Sequence, residues 1–364
     1  MKSLGIYIHV PFCGKKCDYC DFYSVNYSKT AVQDYVDAVL RNIRHYSDTE
    51  QNVDTVYFGG GTPSLLSPWQ IEMVMDELSG SFSLDEDAEI TLEANPSTLN
   101  PDKLSGLRNA GINRLSIGVQ SMIDSELDFL GRTHSAERAE KTILDACSAG
   151  FENISCDLMI ALPEQTSYNI AYSVNRLSAL PIQHISAYIL KTEEGTPFDC
   201  DDIKNRLPDD DQTVALYLQT VELLEKNGFM QYEVSNFAKN GFESRHNNRY
   251  WKCEDYIGIG PSAHSCYKGK RFAVERDLSG FVSGEFQQTY VTDNAPCGFE
   301  ETAMLRLRLK EGLLLSETGS HRSEIEKKLP RLERAGYINF DGERVFLTPQ
   351  GFVMSNSVIE YLIF

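Results

Sequence analysis

No run of apolar residues in the sequence approaches the roughly 20 that a membrane-spanning helix needs, so no such helix is expected. No signal peptide is expected either, because a strand-like run begins almost at once, at Leu4. Basic residues are in deficit, since 34 Lys and Arg stand against 53 Asp and Glu, a net charge of −19. That charge repels nucleic acid and anionic lipid surfaces, although it leaves room for a local basic patch.

Internal repeats and low-complexity segments are also lacking, which excludes a solenoid or a fibrous chain. The nine cysteines are an odd number in a chain of 364 residues, and this pattern favours reduced thiols over a disulfide framework. We therefore expect a cytoplasmic protein. Its 41% hydrophobic and 24% charged content is ordinary for a globular enzyme with one large domain, or with a barrel and a small second domain.

Strand-like and helix-like patterns alternate in the first half of the chain. The strand-like runs are Leu4–Val10, Asp54–Phe58, Glu89–Ala94, Arg114–Val119, Ile154–Leu162 and Ile185–Leu190. Ser67-Pro68 and Asn100-Pro101 each predict a helix start with proline at the first helical position, and Gly150 predicts a helix end. Alternation of this kind predicts parallel strands with right-handed crossovers, in either a doubly wound sheet or an incomplete barrel.

The distribution of polar residues favours the barrel, because chemically distinctive residues follow strand after strand, and barrel sites lie at the carboxyl ends of strands. The predicted fold is thus α/β, with an incomplete (β/α)6 barrel over residues 1–190. Residues 191–298 form a loop-rich extension of the barrel. Residues 299–364 predict a small winged-helix-like domain, with two helices followed by a hairpin that turns at Asp341-Gly342.

Three cysteines follow the first strand in a C-x3-C-x2-C arrangement: Cys13, Cys17 and Cys20. Four thiolates would close a tetrahedral metal site, whereas three leave one coordination position open for a ligand. We interpret the loop as the binding site of a four-iron, four-sulfur cluster with one free iron, whose natural ligand is the amino-carboxylate of S-adenosylmethionine. A zinc knuckle and a disulfide are the alternatives. The remaining six cysteines supply no C-x2-C or C-x4-C pair to complete a zinc site.

Further candidates end the next strands. The glycine run Gly59-Gly60-Gly61 before Thr62 lets a ligand approach the backbone. An ordinary turn at the end of a strand is the alternative explanation for these glycines. Glu93 ends the third strand with a carboxylate suited to ribose hydroxyls or an ammonium group. Asp157 lies within an apolar strand, where a carboxylate is costly to bury without a partner. A buried structural ion pair is the alternative for either residue.

Two side chains with longer reach complete the set. Gln120 offers an amide, and Arg132 a guanidinium that could bind a carboxylate through two hydrogen bonds. A solvated surface arginine is the alternative for Arg132.

In order and spacing, these motifs resemble radical S-adenosylmethionine proteins of the oxygen-independent coproporphyrinogen III oxidase-like family, over residues 4–362. The resemblance implies that Cys13, Cys17 and Cys20 ligate a 4Fe-4S cluster. It also implies that S-adenosylmethionine contacts Tyr7, Gly60, Gly61, Thr62, Glu93, Gln120, Arg132 and Asp157.

Within that family, the chain resembles the haem chaperone HemW branch. The decarboxylating oxidase has a further cysteine two places after the cluster loop, where this chain has Phe22, and an N-terminal extension that is not seen before Tyr7. The segment His246-Asn247-Asn248-Arg249-Tyr250-Trp251 matches the H-N-x-x-Y-W signature of the chaperone branch.

The resemblance makes haem a candidate ligand of this segment. An imidazole can ligate haem iron, and aromatic rings offer a porphyrin flat contact, so His246, Tyr250 and Trp251 are candidate haem contacts. A structural loop held by hydrogen bonds is the alternative. His264 and Cys266 are further candidate ligands.

We therefore expect a haem chaperone that carries a 4Fe-4S cluster and S-adenosylmethionine, with haem as its cargo. Its expected partners are acceptor haem proteins, such as respiratory enzymes, and a reductant protein; peripheral membrane contact is compatible with this. The enzymatic alternative is oxidative decarboxylation of coproporphyrinogen III to protoporphyrinogen IX, and radical methyl transfer is a third reading. Nucleic-acid binding is not expected, because residues 299–364 hold nine Lys and Arg against ten Asp and Glu.

Overall fold

The structure is a computed structural model that describes residues 3–47 and 51–364. The strands are β1 Leu4–Val10, β2 Phe12–Cys13, β3 Val25–Asn26, β4 Val53–Gly60, β5 Leu84–Ala94, β6 Arg114–Gln120, β7 Asn153–Ile160, β8 His184–Ile189, β9 Met230–Gln231, β10 Asn236–Ala238, β11 Tyr256–Ile259, β12 His264–Tyr267, β13 Lys270–Val274, β14 Thr289–Asp293, β15 Leu313–Leu314, β16 Ile338–Phe340 and β17 Arg344–Leu347. The helices are α1 Lys29–His45, α2 Pro68–Ser81, α3 Pro101–Asn109, α4 Asp124–Phe129, α5 Ala136–Ser148, α6 Ser167–Ser178, α7 Asp201–Lys204, α8 Asp210–Lys226, α9 Arg245–Lys252, α10 Leu278–Ser283, α11 Phe299–Arg306, α12 Arg322–Arg334, α13 Pro349–Val353 and α14 Ser355–Ile363.

A single large sheet forms the centre of the described molecule. Its strand order is β14-β13-β12-β11-β1-β4-β5-β6-β7-β8-β10-β9. The run from β11 to β8 is parallel throughout, and beyond each end of that run every strand pairs antiparallel with its neighbour. The six predicted strands are confirmed in the predicted order. The sheet also gains β11 beside β1, in a region where the sequence predicted only loops.

The helix starts were set by local capping chemistry, as predicted. The hydroxyl of Ser67 accepts a hydrogen bond from the backbone amide of Gln70 (3.3 Å), and the Gln70 side chain accepts one from the Ser67 amide (3.0 Å). Asn100 accepts from the amide of Lys103 in the same way (2.8 Å). Beyond the end of α5, Gly150 adopts a φ of +89°, the left-handed conformation typical of a helix end.

Alternate residues of the parallel strands serve two different environments. On β1, Ile6, Ile8 and Val10 are almost fully buried in the hydrophobic core that the strands share with the helices. The intervening Tyr7 and His9 lie on the opposite face, where polar side chains of neighbouring strands meet. The inner face of this sheet is therefore rich in polar groups, whereas the outer face is apolar.

The C-terminal residues form a smaller sheet of order β15-β17-β16, packed with α11 to α14. The predicted hairpin is present, with Ile338 paired with Leu347 and Gly342 at a φ of +100° in the turn. Backbone hydrogen bonds join this part to the large sheet: the Val234 amide donates to the Arg308 carbonyl (3.1 Å). Within the described residues, no helix combines the length and the hydropathy that crossing a membrane requires.

Candidate functional site

The three cysteines lie in one loop at the carboxyl end of β1. Cys13 ends β2, and Cys17 and Cys20 follow in a turn closed by a hydrogen bond from the Cys20 amide to the Cys17 carbonyl (3.2 Å). All three are free thiols of intermediate burial, and the residues between Cys13 and Cys17 are exposed. The loop thus presents sulfur atoms at the mouth of the barrel.

Side chains from two other segments of the chain contact the sulfur atoms of Cys13 and Cys17. The hydroxyl of Thr62, after β4, lies 3.6 Å from the Cys13 sulfur as a donor. The guanidinium of Arg132, in the segment after α4, donates to the Cys17 sulfur (3.2 Å). Both contacts direct a hydrogen toward sulfur and so fix the position of the loop. Within residues 3–47 and 51–364, no group of three or more His, Cys, Asp or Glu side chains is already gathered around a metal position.

The glycine run brings backbone against the cysteine loop. Gly60 has a φ of +104°, and a Cβ atom there would lie 2.6 Å from the ring of His9. A Cβ atom on Gly61 would lie 2.6 Å from the Phe12 carbonyl oxygen, next to the cysteine loop. The Gly61 amide donates to the carbonyl of Val10 (2.8 Å). Only glycine allows this approach, so the run has a steric requirement beyond that of an ordinary turn.

Glu93 lies beside the glycine run. Its carboxylate accepts hydrogen bonds from the hydroxyl of Tyr57 (2.8 Å) and from the amide of Gly60 (3.2 Å). Burial raises the pKa of Glu93 from 4.5 to about 7, a shift that the charge of Asp157 reinforces and the two hydrogen bonds oppose. A cationic group bound here would favour the ionised carboxylate.

Gln120 and Arg132 meet above the end of β6. Gln120 is buried with a φ of +69°, and its Oε1 atom has no hydrogen-bond partner among the described residues. Arg132 donates to the Gly118 carbonyl (2.7 Å), and its Nε atom likewise lacks a partner in the described part of the chain. A buried polar atom without a hydrogen-bond partner destabilises the folded state. At a binding site, such an atom is available to form a hydrogen bond with a ligand.

Asp157 completes the ring of strand ends. The hydroxyl of Ser116 donates to it over a long 3.4 Å, and Ser186 on β8 supplies another hydrogen bond. Burial raises the pKa of Asp157 from 3.8 to about 6, while these hydrogen bonds and Arg132 act in the opposite direction.

The set fits an amino-acid nucleoside next to a cysteine-held cluster. Three thiols are available for iron, buried carboxylates suit an ammonium or ribose hydroxyls, and an arginine with a free donor suits a carboxylate. The structure therefore brings together Cys13, Cys17, Cys20, Gly60, Gly61, Thr62, Glu93, Gln120, Arg132 and Asp157. Tyr7 joins this set less directly, because its hydroxyl is hydrogen-bonded to Nδ1 of His9 (3.1 Å) and its ring stacks on Tyr57.

The H-N-x-x-Y-W segment lies elsewhere, as the helix α9 that inserts at the amino-terminal end of the barrel strands. The amides of Arg245 and His246 both donate to the carboxylate of Glu89 (3.0 Å each), which caps the start of this helix. Arg249 is buried and reaches Asp54, Thr55 and the Ser3 carbonyl near the starts of β1 and β4. Helix α9 therefore closes the amino-terminal end of the barrel, opposite the cysteine loop, and we call this helix the plug.

His246 is fully buried in this plug. One ring nitrogen, Nδ1, is 2.9 Å from the Thr55 hydroxyl, and the other, Nε2, is 2.8 Å from the Tyr250 hydroxyl. Burial, together with Arg249 and Arg114, lowers the pKa of His246 from 6.5 to about 3. A haem iron could bind this imidazole only if a hydrogen bond were broken. Trp251 is half-buried at the end of the same helix.

The sequence reasoning missed two contributors to the site, Tyr57 and His9. Tyr57 orients Glu93, and its ring stacks on His246 at 5.1 Å, so it connects the site with the plug. His9 bridges Tyr7 and the Tyr23 carbonyl (3.0 Å), behind the cysteine loop. The available signal was the alternation of strand residues, because Tyr57 and His9 occupy inward positions between outward apolar neighbours.

Comparisons with known proteins place these motifs in context. The model of the radical SAM superfamily matches residues 7–172, and that of the HemN C-terminal domain matches residues 299–354. The chain is similar to the "Heme chaperone HemW" of Lactococcus lactis (32% identity over 99% of this chain and 97% of that protein). It is also similar to proteins of that name from Escherichia coli K12 (34%; 99% and 98%) and Bacillus subtilis (35%; 98% of each).

Among solved structures, the fold is similar to that of coproporphyrinogen III oxidase HemN from Escherichia coli, described as a radical SAM enzyme. The TM-score is 0.83, with 22% identity over 100% of this chain and 90% of the other. At that identity, the likeness shows the shared fold alone.

Proposed function

Because the chain belongs to the HemW heme chaperone family of radical SAM proteins, we propose that it binds haem and delivers it to acceptor haem proteins. The observation that carries this proposal is the extent of the similarity, which covers 97–98% of three bacterial chaperone relatives as well as nearly all of this chain. A partial match would support only a shared barrel. Similarity over both the barrel and the C-terminal part supports a function shared with these relatives.

The carboxyl end of the barrel would hold the cofactors. Cys13, Cys17 and Cys20 would ligate a 4Fe-4S cluster, and the free iron would take the amino-carboxylate of S-adenosylmethionine. When bound, this pair supplies one-electron chemistry on a sulfonium. The chain itself would orient the cosubstrate: Arg132 faces the cluster loop for a carboxylate, and Glu93 sits beside the Gly60 amide for an ammonium.

Haem would bind outside the barrel, at His264 on β12. That imidazole is exposed, and no hydrogen bond engages its ring within the part of the chain that the structure describes. Partial burial and the cations Arg271 and Arg276 lower its pKa, which favours the neutral, iron-binding ring. Since His246 has both nitrogens engaged, His264 is the better axial ligand of the two.

The surroundings of His264 suit a porphyrin with propionates. Arg276 supplies a guanidinium that donates to the Asp21 carbonyl (3.2 Å) and lies over the ring of Tyr23. Phe22, the next residue, is 62% exposed, so an apolar ring is available beside the cation. An imidazole, a cation and exposed aromatic surface are the groups that haem requires.

The test is a haemin titration of anaerobically prepared protein, followed by transfer to an apo-cytochrome. We expect a Soret shift at one equivalent and appearance of the holo-cytochrome spectrum. His264→Ala should weaken haem binding at least tenfold, whereas His246→Ala, in a folded fraction verified by circular dichroism, should not. Loss of haem binding in His246→Ala but not in His264→Ala would place the haem site at helix α9 instead. Absence of haem binding by the wild type would refute the proposal that the protein carries haem.

The remaining parts of the proposal concern the surroundings of the protein. A reductant protein would supply electrons to the cluster, and respiratory haem enzymes would accept the haem. We place the protein in the reducing setting of the cytoplasm, as the odd number of cysteines in the sequence led us to expect.

A further inference from the structure

Three cysteines outside the cluster loop converge at the junction between the large sheet and the C-terminal part. Cys253 follows α9, Cys266 lies on β12, and Cys297 precedes α11 by two residues. The sulfur atoms of Cys266 and Cys297 are 4.0 Å apart, and the Cys297 sulfur is also 4.0 Å from the Cys253 carbonyl oxygen. In sequence they are distant, so the tertiary fold assembles this thiol group.

The backbone at two of these cysteines is strained. Cys253 has a φ of +53° and Cys297 a φ of +66°. These angles lie in the left-handed region, which residues other than glycine and asparagine seldom adopt. Cys297 is held there by its amide, which donates to the Glu301 carboxylate (2.6 Å). Glu301 is in turn paired with Arg271 on β13 (2.5 Å), next to Cys266 in the sheet. This arrangement holds the Cys297 sulfur against Cys266.

We propose that Cys266 and Cys297 are a redox pair that forms a disulfide when the protein meets a low-molecular-weight disulfide such as oxidised glutathione. Their sulfur atoms are 4.0 Å apart, so they need to approach each other by about 2 Å to form a disulfide bond. Cys297 is half-buried and is the more exposed of the two, whereas Cys266 is buried, so we expect the reagent to meet Cys297 first.

The chemistry is two successive exchanges. The Cys297 sulfur attacks one sulfur of the reagent, the reagent's S–S bond breaks, and the departing thiolate takes the proton that Cys297 loses. The Cys266 sulfur then attacks Cys297 in the mixed disulfide, and the second reagent thiol leaves with the Cys266 proton. Two protein thiols and one reagent disulfide become one protein disulfide and two reagent thiols, so two electrons pass to the reagent.

The new bond would join the large sheet covalently to the segment that enters α11. Between the two cysteines lie β13, α10 and β14, so the bond would close this part of the chain into a loop. Burial raises the pKa of both thiols, and exchange should therefore be faster at mildly alkaline pH. Nothing in this proposal depends on haem, the cluster or S-adenosylmethionine.

The test treats the anaerobic, cluster-loaded protein with oxidised glutathione at mildly alkaline pH, alkylates the remaining thiols and maps disulfides by mass spectrometry. Trypsin leaves Cys253 and Cys266 together in residues 253–268, so a second protease that cuts before Asp255 is needed. We expect a peptide linking Cys266 to Cys297 that disappears on reduction.

Matched variants make the assignment sharp. Cys266→Ser should abolish the link, while Cys253→Ser and Cys200→Ser, an exposed cysteine outside the group, should retain it at wild-type yield. A link between Cys253 and Cys297 in the wild type would overturn the pairing. Persistent free thiols at both positions, while exposed Cys200 reacts, would overturn the proposal as a whole.

Discussion

The guanidinium of Arg132 donates a hydrogen bond to the sulfur of Cys17 over 3.2 Å. The two residues are far apart in the sequence, because Cys17 follows the first strand and Arg132 follows β6 and α4. A second nitrogen of Arg132 donates to the Gly118 carbonyl (2.7 Å), which fixes the planar group in place. This contact ties the cysteine loop to the strand ends that would receive the cosubstrate.

Arg132→Lys should therefore weaken S-adenosylmethionine binding while sparing the cluster. Lysine keeps the charge but not the planar fork that holds two partners at once. We expect a dissociation constant at least tenfold higher by isothermal titration, with unchanged iron content. Arg176→Lys, which alters a surface pair with Glu140, should leave both values at wild type. Unchanged affinity in Arg132→Lys would remove this residue from the site.

Replacing any one of Cys13, Cys17 or Cys20 by alanine should abolish the cluster. Three thiolates are the minimum for a cluster with one free iron, so two cannot hold it. The wild type should be brown and carry about four irons per chain, and each variant should be nearly colourless. Cys147→Ala, at an exposed cysteine on α5, is the control. A colourless wild type with one bound zinc would contradict the cluster.

Gly61→Ala should damage both stability and cofactor binding. The added Cβ would lie 2.6 Å from the Phe12 carbonyl oxygen, and backbone cannot yield as a flexible side chain can. Overpacking of this kind typically costs about 1–3 kcal/mol in free energy of unfolding. Gly80→Ala, in α2 with no atom within 4 Å of the added Cβ, should instead stabilise by roughly 0.5–1 kcal/mol. Denaturant unfolding of the two variants measures the contrast.

His246 should make the protein acid-sensitive. Its pKa is lowered to about 3 in the folded state from 6.5, so below pH 6.5 the unfolded chain takes up a proton that the folded chain refuses. The free energy of unfolding is therefore highest above pH 6.5. As the pH falls toward 3, the buried neutral His246 lowers that free energy by roughly 3–5 kcal/mol.

His246→Gln tests that assignment. We expect it to be less stable than wild type at pH 7 by about 1–3 kcal/mol, through lost hydrogen bonds to Thr55 and Tyr250, with the gap closing by pH 4. His45→Gln, at an exposed position, should follow the wild-type curve in parallel. A constant gap between His246→Gln and wild type across the pH range would show that His246 titrates normally.

Reconstituted protein supplied with reductant, S-adenosylmethionine and coproporphyrinogen III should form little protoporphyrinogen IX. The oxidase branch has a further cysteine where this chain has the exposed Phe22. The assay is chromatography of the porphyrins after oxidation, with a known oxygen-independent oxidase as the positive control. Robust product formation would make the chain an enzyme and would overturn the chaperone-only reading.

The sequence alone was enough to find the barrel strands in their order along the chain and to single out the cysteine loop as the candidate site, since both rest on local patterns. Hydrophobic alternation and helix caps such as Ser67 and Asn100 are properties of neighbouring residues. The C-x3-C-x2-C spacing likewise lies within eight residues, so its chemistry could be inferred before any fold was known.

Tertiary structure alone decided the position of the H-N-x-x-Y-W segment. The sequence left it as either a haem contact or a structural loop, and the fold places it as a helix in the barrel floor, where Glu89 caps it and Thr55 engages His246. Residues more than 150 positions away in the chain make these contacts, and no local pattern encodes such partners. The same reason explains why the contact between Cys266 and Cys297 became visible only in the folded chain.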